Sequence, residues 1–137
     1  MSSIERFITD LLDALNAHDV ERLVSFYAPD FEEVDVGQAR PQRGLDGLRR
    51  TASRYFRAFP DLQFTRDDLI VQAPRAVLIW TMRGTHQGAL MNIPPTGRAV
   101  AVRGTSVLTV ENGKIKNSLR VWDMAGMLRA LGLLPDL

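Results

Sequence analysis

Val100-Ala-Val-Arg-Gly-Thr-Ser-Val-Leu-Thr-Val110, then Glu111-Asn-Gly113, then Lys114-Ile-Lys-Asn-Ser-Leu-Arg-Val-Trp122 is the pattern of two long strands and a tight turn. Valine, threonine and leucine recur through both runs, and Asn112-Gly113 supplies the positive φ that a two-residue hairpin requires. Upstream, residues 62–71 and 76–87 read as two more strands, joined at Gln72-Ala-Pro-Arg75. Residues 88–97, with Pro94-Pro95, form a long connection that arches over one end of the sheet. Residues 31–36 read as a further, shorter strand with a period of two.

The first half carries helical periodicity instead. Ile4, Phe7, Ile8, Leu11, Leu12 and Leu15 recur at helical spacing, and Ser2 with Glu5 makes a capping box. Asp19 caps a short second helix expected over 20–27, and a third is expected over 44–58, stopped by Pro60. Leu45, Leu48, Ala52, Tyr55, Phe56 and Phe59 are its apolar stripe. A last short helix follows Asp123 and ends at Gly132. Helices followed by a meander of long strands give an α+β fold: a cone-shaped, curved antiparallel sheet with the N-terminal helices on its concave face. The mouth of such a cone is a natural small-molecule pocket.

Composition narrows the function. The 137 residues, 45% hydrophobic and 24% charged, form one domain's worth of ordinary globular sequence, so a single domain over 1–137 is expected. No cysteine is present, which excludes disulfides, thiol nucleophiles and cysteine-ligated zinc. With only His18 and His86, and no ligand spacing between them, no metal is expected. The longest apolar runs, such as Ala76-Val-Leu-Ile-Trp80, are too short to span a membrane. The N-terminus lacks a signal-peptide pattern, so the expected location is cytoplasmic. A net charge of +1 argues against nucleic acid as a partner. The densest basic cluster, Arg49, Arg50, Arg54 and Arg57, reads as the solvated face of the third helix.

Strand parity selects the residues that face the cone. Phe31, Glu33 and Asp35 share one side of the first strand. Leu78, Trp80, Met82, Gly84 and His86 share a side, as do Val102, Gly104, Ser106, Leu108 and Val110, and likewise Lys116, Ser118, Arg120 and Trp122. This concave set is mostly apolar with four ionisable groups, Glu33, Asp35, His86 and Arg120, which is the composition of a site where an apolar ligand meets a few tuned groups. The opposite faces carry Val77, Ile79, Val107, Ile115, Leu119 and Val121. A sheet apolar on both sides must be covered on both, so a homodimer through the sheet is expected.

Gly84-Thr-His-Gln-Gly88, Ile93-Pro-Pro-Thr-Gly-Arg98, Asn112-Gly-Lys-Ile115 and Trp122-Asp-Met-Ala-Gly-Met-Leu-Arg-Ala-Leu-Gly132, with Tyr27-Ala-Pro-Asp-Phe31 upstream, resemble the SnoaL-like polyketide cyclases of the nuclear-transport-factor-2-like (ketosteroid-isomerase-like) superfamily. The resemblance covers nearly the whole chain. It implies a homodimeric cone and cofactor-free acid–base chemistry on a polyketide-like molecule. The cyclases' last-strand aspartate and preceding-strand histidine fall on Arg120 and Ser106, and arginine cannot act as a base. Glu33-Val-Asp-Val-Gly37 is similar to the stretch that carries the base of the ketosteroid isomerases, which places Asp35 at that base. That branch's oxyanion tyrosine and its acidic partner fall near Leu12 and Ser106.

The expected roles follow. Asp35 is the candidate base, Arg120 the anion stabiliser and His86 an auxiliary acid. Phe31, Glu33, Tyr55, Trp80, Met82, Ser106 and Trp122 are candidate substrate contacts. In the empty protein Arg120 is expected to pair with Glu33 or Asp35 across the cone. The ligand is a hydrophobic, carbonyl-bearing small molecule. Two alternatives stay open: a non-catalytic binding dimer of the same fold, and an epoxide hydrolase.

Overall fold

A computed structural model describes residues 2–136. Helix α1 (Ser3–Asn16) begins as its capping box requires, with Ser2 Oγ accepting the Glu5 N–H at 3.1 Å. It buries Ile8, Leu11, Leu12 and Ala14. Each buried large side chain contributes about 1.5–3 kcal/mol, so this stripe rather than intrinsic propensity anchors the helix. Asp19 caps α2 (Val20–Val24) through the Arg22 N–H. That helix is shorter than the sequence suggests, because Tyr27 leaves it to open strand β1 (Tyr27–Asp35). A two-residue strand, β2 (Gln42–Arg43), precedes α3 (Gly44–Ala58).

Strands β3 (Gln63–Gln72), β4 (Arg75–Thr85), β5 (Ala99–Glu111) and β6 (Lys114–Trp122) form the long meander, and α4 (Met124–Ala130) ends the fold. Asn112 and Gly113 both have positive φ (52° and 71°) in the β5–β6 turn. The curved, unclosed sheet has the order β2-β1-β6-β5-β4-β3. It is antiparallel except where β1 runs parallel to β6, a pairing that the meander alone does not reveal. The N-terminal helices bury their apolar faces with Leu78, Trp80, Met82, Val102 and Leu108 of the sheet.

One residue assigned by parity to the outer face lies inside. Ile115 is fully buried. The register between β5 and β6 shifts between Thr109 and Val110, so that Asn117 and Ile115 face consecutive residues of β5. The extra residue, Lys116, reverses the alternation at the start of β6. Beyond the shift, parity holds.

Candidate functional site

Four adjacent strands set the site in register. The parallel pairing aligns Asp35 with Arg120 and Glu33 with Ser118. Strand β5 places Ser106 opposite Arg120 and Gly104 opposite Trp122, and β4 places Leu78 opposite Ser106 and Trp80 opposite Gly104. One row across the sheet is therefore Asp35, Arg120, Ser106, Leu78, and the next is Trp122, Gly104, Trp80. Gly104 is what admits the Trp80 indole: a Cβ there would lie 2.3 Å from Cζ2 and 2.4 Å from Cη2. Trp80 Nε1 donates to Ser106 Oγ at 3.1 Å.

Arg120 occupies an aromatic cage. Its guanidinium carbon is 5.1 Å from the Trp80 ring, 5.5 Å from Tyr55 and 5.9 Å from Trp122, all within cation–π range. Among the described residues no carboxylate lies within 4.0 Å of it, so the expected ion pair with Glu33 or Asp35 is not formed. Its Nε is buried without a hydrogen-bond partner. An unsatisfied buried donor costs about 1–3 kcal/mol, so its position calls for an explanation beyond stability.

The two carboxylates are held differently. Glu33 Oε1 accepts the Ser118 hydroxyl at 3.1 Å. Burial raises the Glu33 pKa, outweighing the opposing pull of Arg120 and of the Ser118 hydrogen bond, and Asp35 raises it further. Burial also pushes the Tyr27 and Tyr55 phenols up. Asp35 Oδ1 accepts Trp122 Nε1–H at 2.7 Å and the Gly37 N–H at 2.8 Å. Trp122 thus flanks the guanidinium and holds Asp35 with the same ring.

The space divides in two. An inner cavity of about 110 Å³ is walled by leucines of α1 and α3 and closed by Glu33, Tyr55, Trp80, Ser106, Ser118 and Arg120. An outer recess of about 800 Å³ is bordered by Asp35, Gln38, Arg40, Arg50 and Arg54. Glu33, Thr51 and Tyr55 line both. Among the described residues no three acidic or histidine side chains gather as a metal site.

The model of the SnoaL-like polyketide cyclases matches residues 5–131. The chain belongs to the SnoaL-like polyketide cyclase family. No curated protein matches it. Among solved structures it is similar to AclR from Streptomyces galilaeus, at 27% identity and a TM-score of 0.86 over 99% of this chain and 90% of that one. TsrD from Streptomyces laurentii is 28% identical with a TM-score of 0.86, covering 96% of each chain. A SnoaL-like polyketide cyclase from Agrobacterium tumefaciens is 27% identical with a TM-score of 0.80, over 96% of this chain and all of that one. Family and neighbours together support a cyclase-type function.

Against this SnoaL-like frame, the expected site residues sort into three groups. Glu33, Tyr55, Trp80, Met82, Ser106 and Arg120 line the inner cavity. Asp35 borders the recess, tied to Trp122. Phe31, His86 and Trp122 line neither. Phe31 packs edge-on against Tyr27, 4.6 Å between centroids, in the core. His86 lies beyond the end of β4, fully buried beside Phe59. Its Nδ1 accepts the Thr96 N–H at 3.2 Å, and its backbone N–H and C=O bond Arg98 and Gly97. The loop over 88–97 holds it through these bonds, and its Nε2 is buried without a hydrogen-bond partner. Sequence reasoning missed Ser118 as the Glu33 partner, although its parity with Arg120 was visible. It also missed Tyr27, hidden by its assignment to α2, and the arginines of the recess.

Proposed function

We propose that this SnoaL-like protein is a cofactor-independent acid–base enzyme of the cyclase or isomerase type, acting on a hydrophobic, carbonyl-bearing, polyketide-like small molecule. The observation that carries the proposal is Arg120: a guanidinium inside an aromatic cage, with a buried unpartnered Nε and two carboxylates on the adjacent strand. A substrate carbonyl oxygen would supply the missing acceptor.

The chemistry follows from that placement. Asp35 takes the proton from the carbon next to the carbonyl, and the negative charge develops on the oxygen facing Arg120. A preorganised cation in a water-poor cage stabilises that charge more than water does. In a cyclisation the enolate carbon bonds to a second carbonyl, and the resulting alkoxide takes the Glu33 proton. The proton on Asp35 then restores Glu33, so the enzyme ends unchanged. In an isomerisation the proton returns to a different carbon. The elevated pKa of Glu33 suits it to the donating role.

The outer face supports a homodimer. Val34, Leu119, Val107, Val77 and Ile70 are register partners in a single apolar row across five strands. Val34 (43%), Leu119 (41%) and Ile70 (56%) remain exposed in the single chain. A second copy would cover them.

The test is exchange of the α-protons of 1-tetralone in deuterated water, followed by NMR. The wild type should accelerate exchange. Asp35→Asn should lower the enzymatic rate by about 10²–10⁴ and Arg120→Met by about 10²–10³. Exchange by Asp35→Asn at the wild-type rate would remove Asp35 as base. Binding of the ketone without any exchange would favour the non-catalytic module instead.

A further inference from the structure

The recess outside the inner cavity is lined on one wall by arginines. Arg50 and Arg54 stand one helical turn apart on α3, and Arg40 lies on the segment between β1 and β2. All three are exposed, and among the described residues none forms an ion pair. A fourth, Arg43, is engaged by Glu32 at 3.1 Å. Among the described residues two carboxylates line the recess, Glu33 and Asp35; Glu33 also lines the inner cavity, and Asp35 is the register partner of Arg120. Like charges four residues apart on a helix repel, so Arg50 and Arg54 gain from an anion between them.

Size completes the argument. Ligand sites commonly measure about 300–1,000 Å³, and the inner cavity offers about 110 Å³. A polycyclic ligand with its carbonyl at Arg120 has to extend past Tyr55 into the recess. Its far end then meets Arg40, Arg50 and Arg54. We infer that the ligand carries an anionic group, a carboxylate, at the end remote from its reacting carbonyl, and that these three arginines hold it. The helix face that reads in the sequence as merely solvated is the specificity wall of the site. This inference rests on the inner cavity being the carbonyl site.

Anthraquinone-2-carboxylate and its methyl ester separate the two readings. Their binding is followed through quenching of tryptophan fluorescence at low ionic strength. The acid should bind at least about fivefold tighter than the ester. Added salt should erode that preference and leave the ester's affinity unchanged. The double variant Arg50→Gln/Arg54→Gln, with thermal unfolding as a check on folding, should cut the preference for the acid by weakening only the acid, and adding Arg40→Gln should remove what is left. Equal affinities in the wild type, or a double variant that weakens both alike, would overturn the carboxylate wall and leave the carbonyl site standing. If neither compound binds, the carbonyl site falls as well.

Discussion

Gly104→Ala is the smallest change that reaches the centre of the site. The added Cβ would sit 2.3, 2.4 and 2.8 Å from Cζ2, Cη2 and Cε2 of Trp80, far inside van der Waals contact. Backbone surrounds the position on both sides, since Gly104 pairs with Trp80 on β4 and with Trp122 on β6. The indole must therefore move, breaking its 3.1 Å bond to Ser106 and leaving the ring stack over Arg120. Overpacking of this kind costs about 1–3 kcal/mol. For a chain of this length that is a fall in Tm of about 3–15 °C. A double-mutant cycle isolates the cause. Phenylalanine at position 80 lacks the clashing atoms, so in a Trp80→Phe background Gly104→Ala should cost less than about 0.5 kcal/mol. Replacing glycine with alanine in a strand can even help there. The coupling between the two positions is then about 1–2 kcal/mol by thermal or urea unfolding. An equal cost in both backgrounds would mean that the indole is not what the added methyl meets, and the described geometry of the Arg120 cage would be wrong.

Glu33→Gln tests the buried carboxylate. A raised folded pKa contributes stability below the ordinary glutamate value, near pH 4.5, and that contribution is lost as pH rises through the folded value. The wild type should therefore lose stability relative to Glu33→Gln over that window, as read from Tm against pH; parallel curves would refute the buried placement. Leu119→Asp places a charge in the middle of the outer apolar row, twice per symmetric dimer. It should weaken dimerisation by about 10²–10⁴-fold by light scattering, and a wild type that stays monomeric when concentrated would remove the proposed interface.

The long strands, the two capped helices and the inward set of β4 and β5 were legible because period and cap chemistry are local. What escaped the sequence was non-local. The parallel contact of β1 with β6 joins segments about ninety residues apart, and only that contact tells which β6 residue faces Asp35. The register shift at Lys116 reversed Ile115 without a glycine or proline to announce it. His86 had the right parity, yet the strand ends one residue before it, and the loop that holds it follows a path that no period encodes. The recess arginines carried no signal either, because a helix face borders a cavity or open solvent according to what lies opposite.

Under the proposed mechanism, charge conservation accounts for an arginine at position 120, where the resemblance places the cyclases' aspartate. The proposed mechanism uses Glu33 as the proton donor and Asp35 and Arg120 as a pair of opposite charges, which together make a neutral site. Transfer of the substrate proton to Asp35 moves the negative charge from that carboxylate to the enolate oxygen beside Arg120, and the total stays zero. No net charge is created in a region of low dielectric, where creating one would be expensive. An acid at position 120 would keep a base on β6 but would remove the cation, leaving the enolate to rely on neutral donors such as Ser106 and Tyr55. In the proposed mechanism the labour is divided between strands: the cation is on β6, and the base is Asp35 on β1, which accepts the indole N–H of Trp122. On this account Arg120 and Asp35 act as one unit. Adding Arg120→Met to Asp35→Asn should then lower the exchange rate little further, whereas independent roles would multiply the two losses.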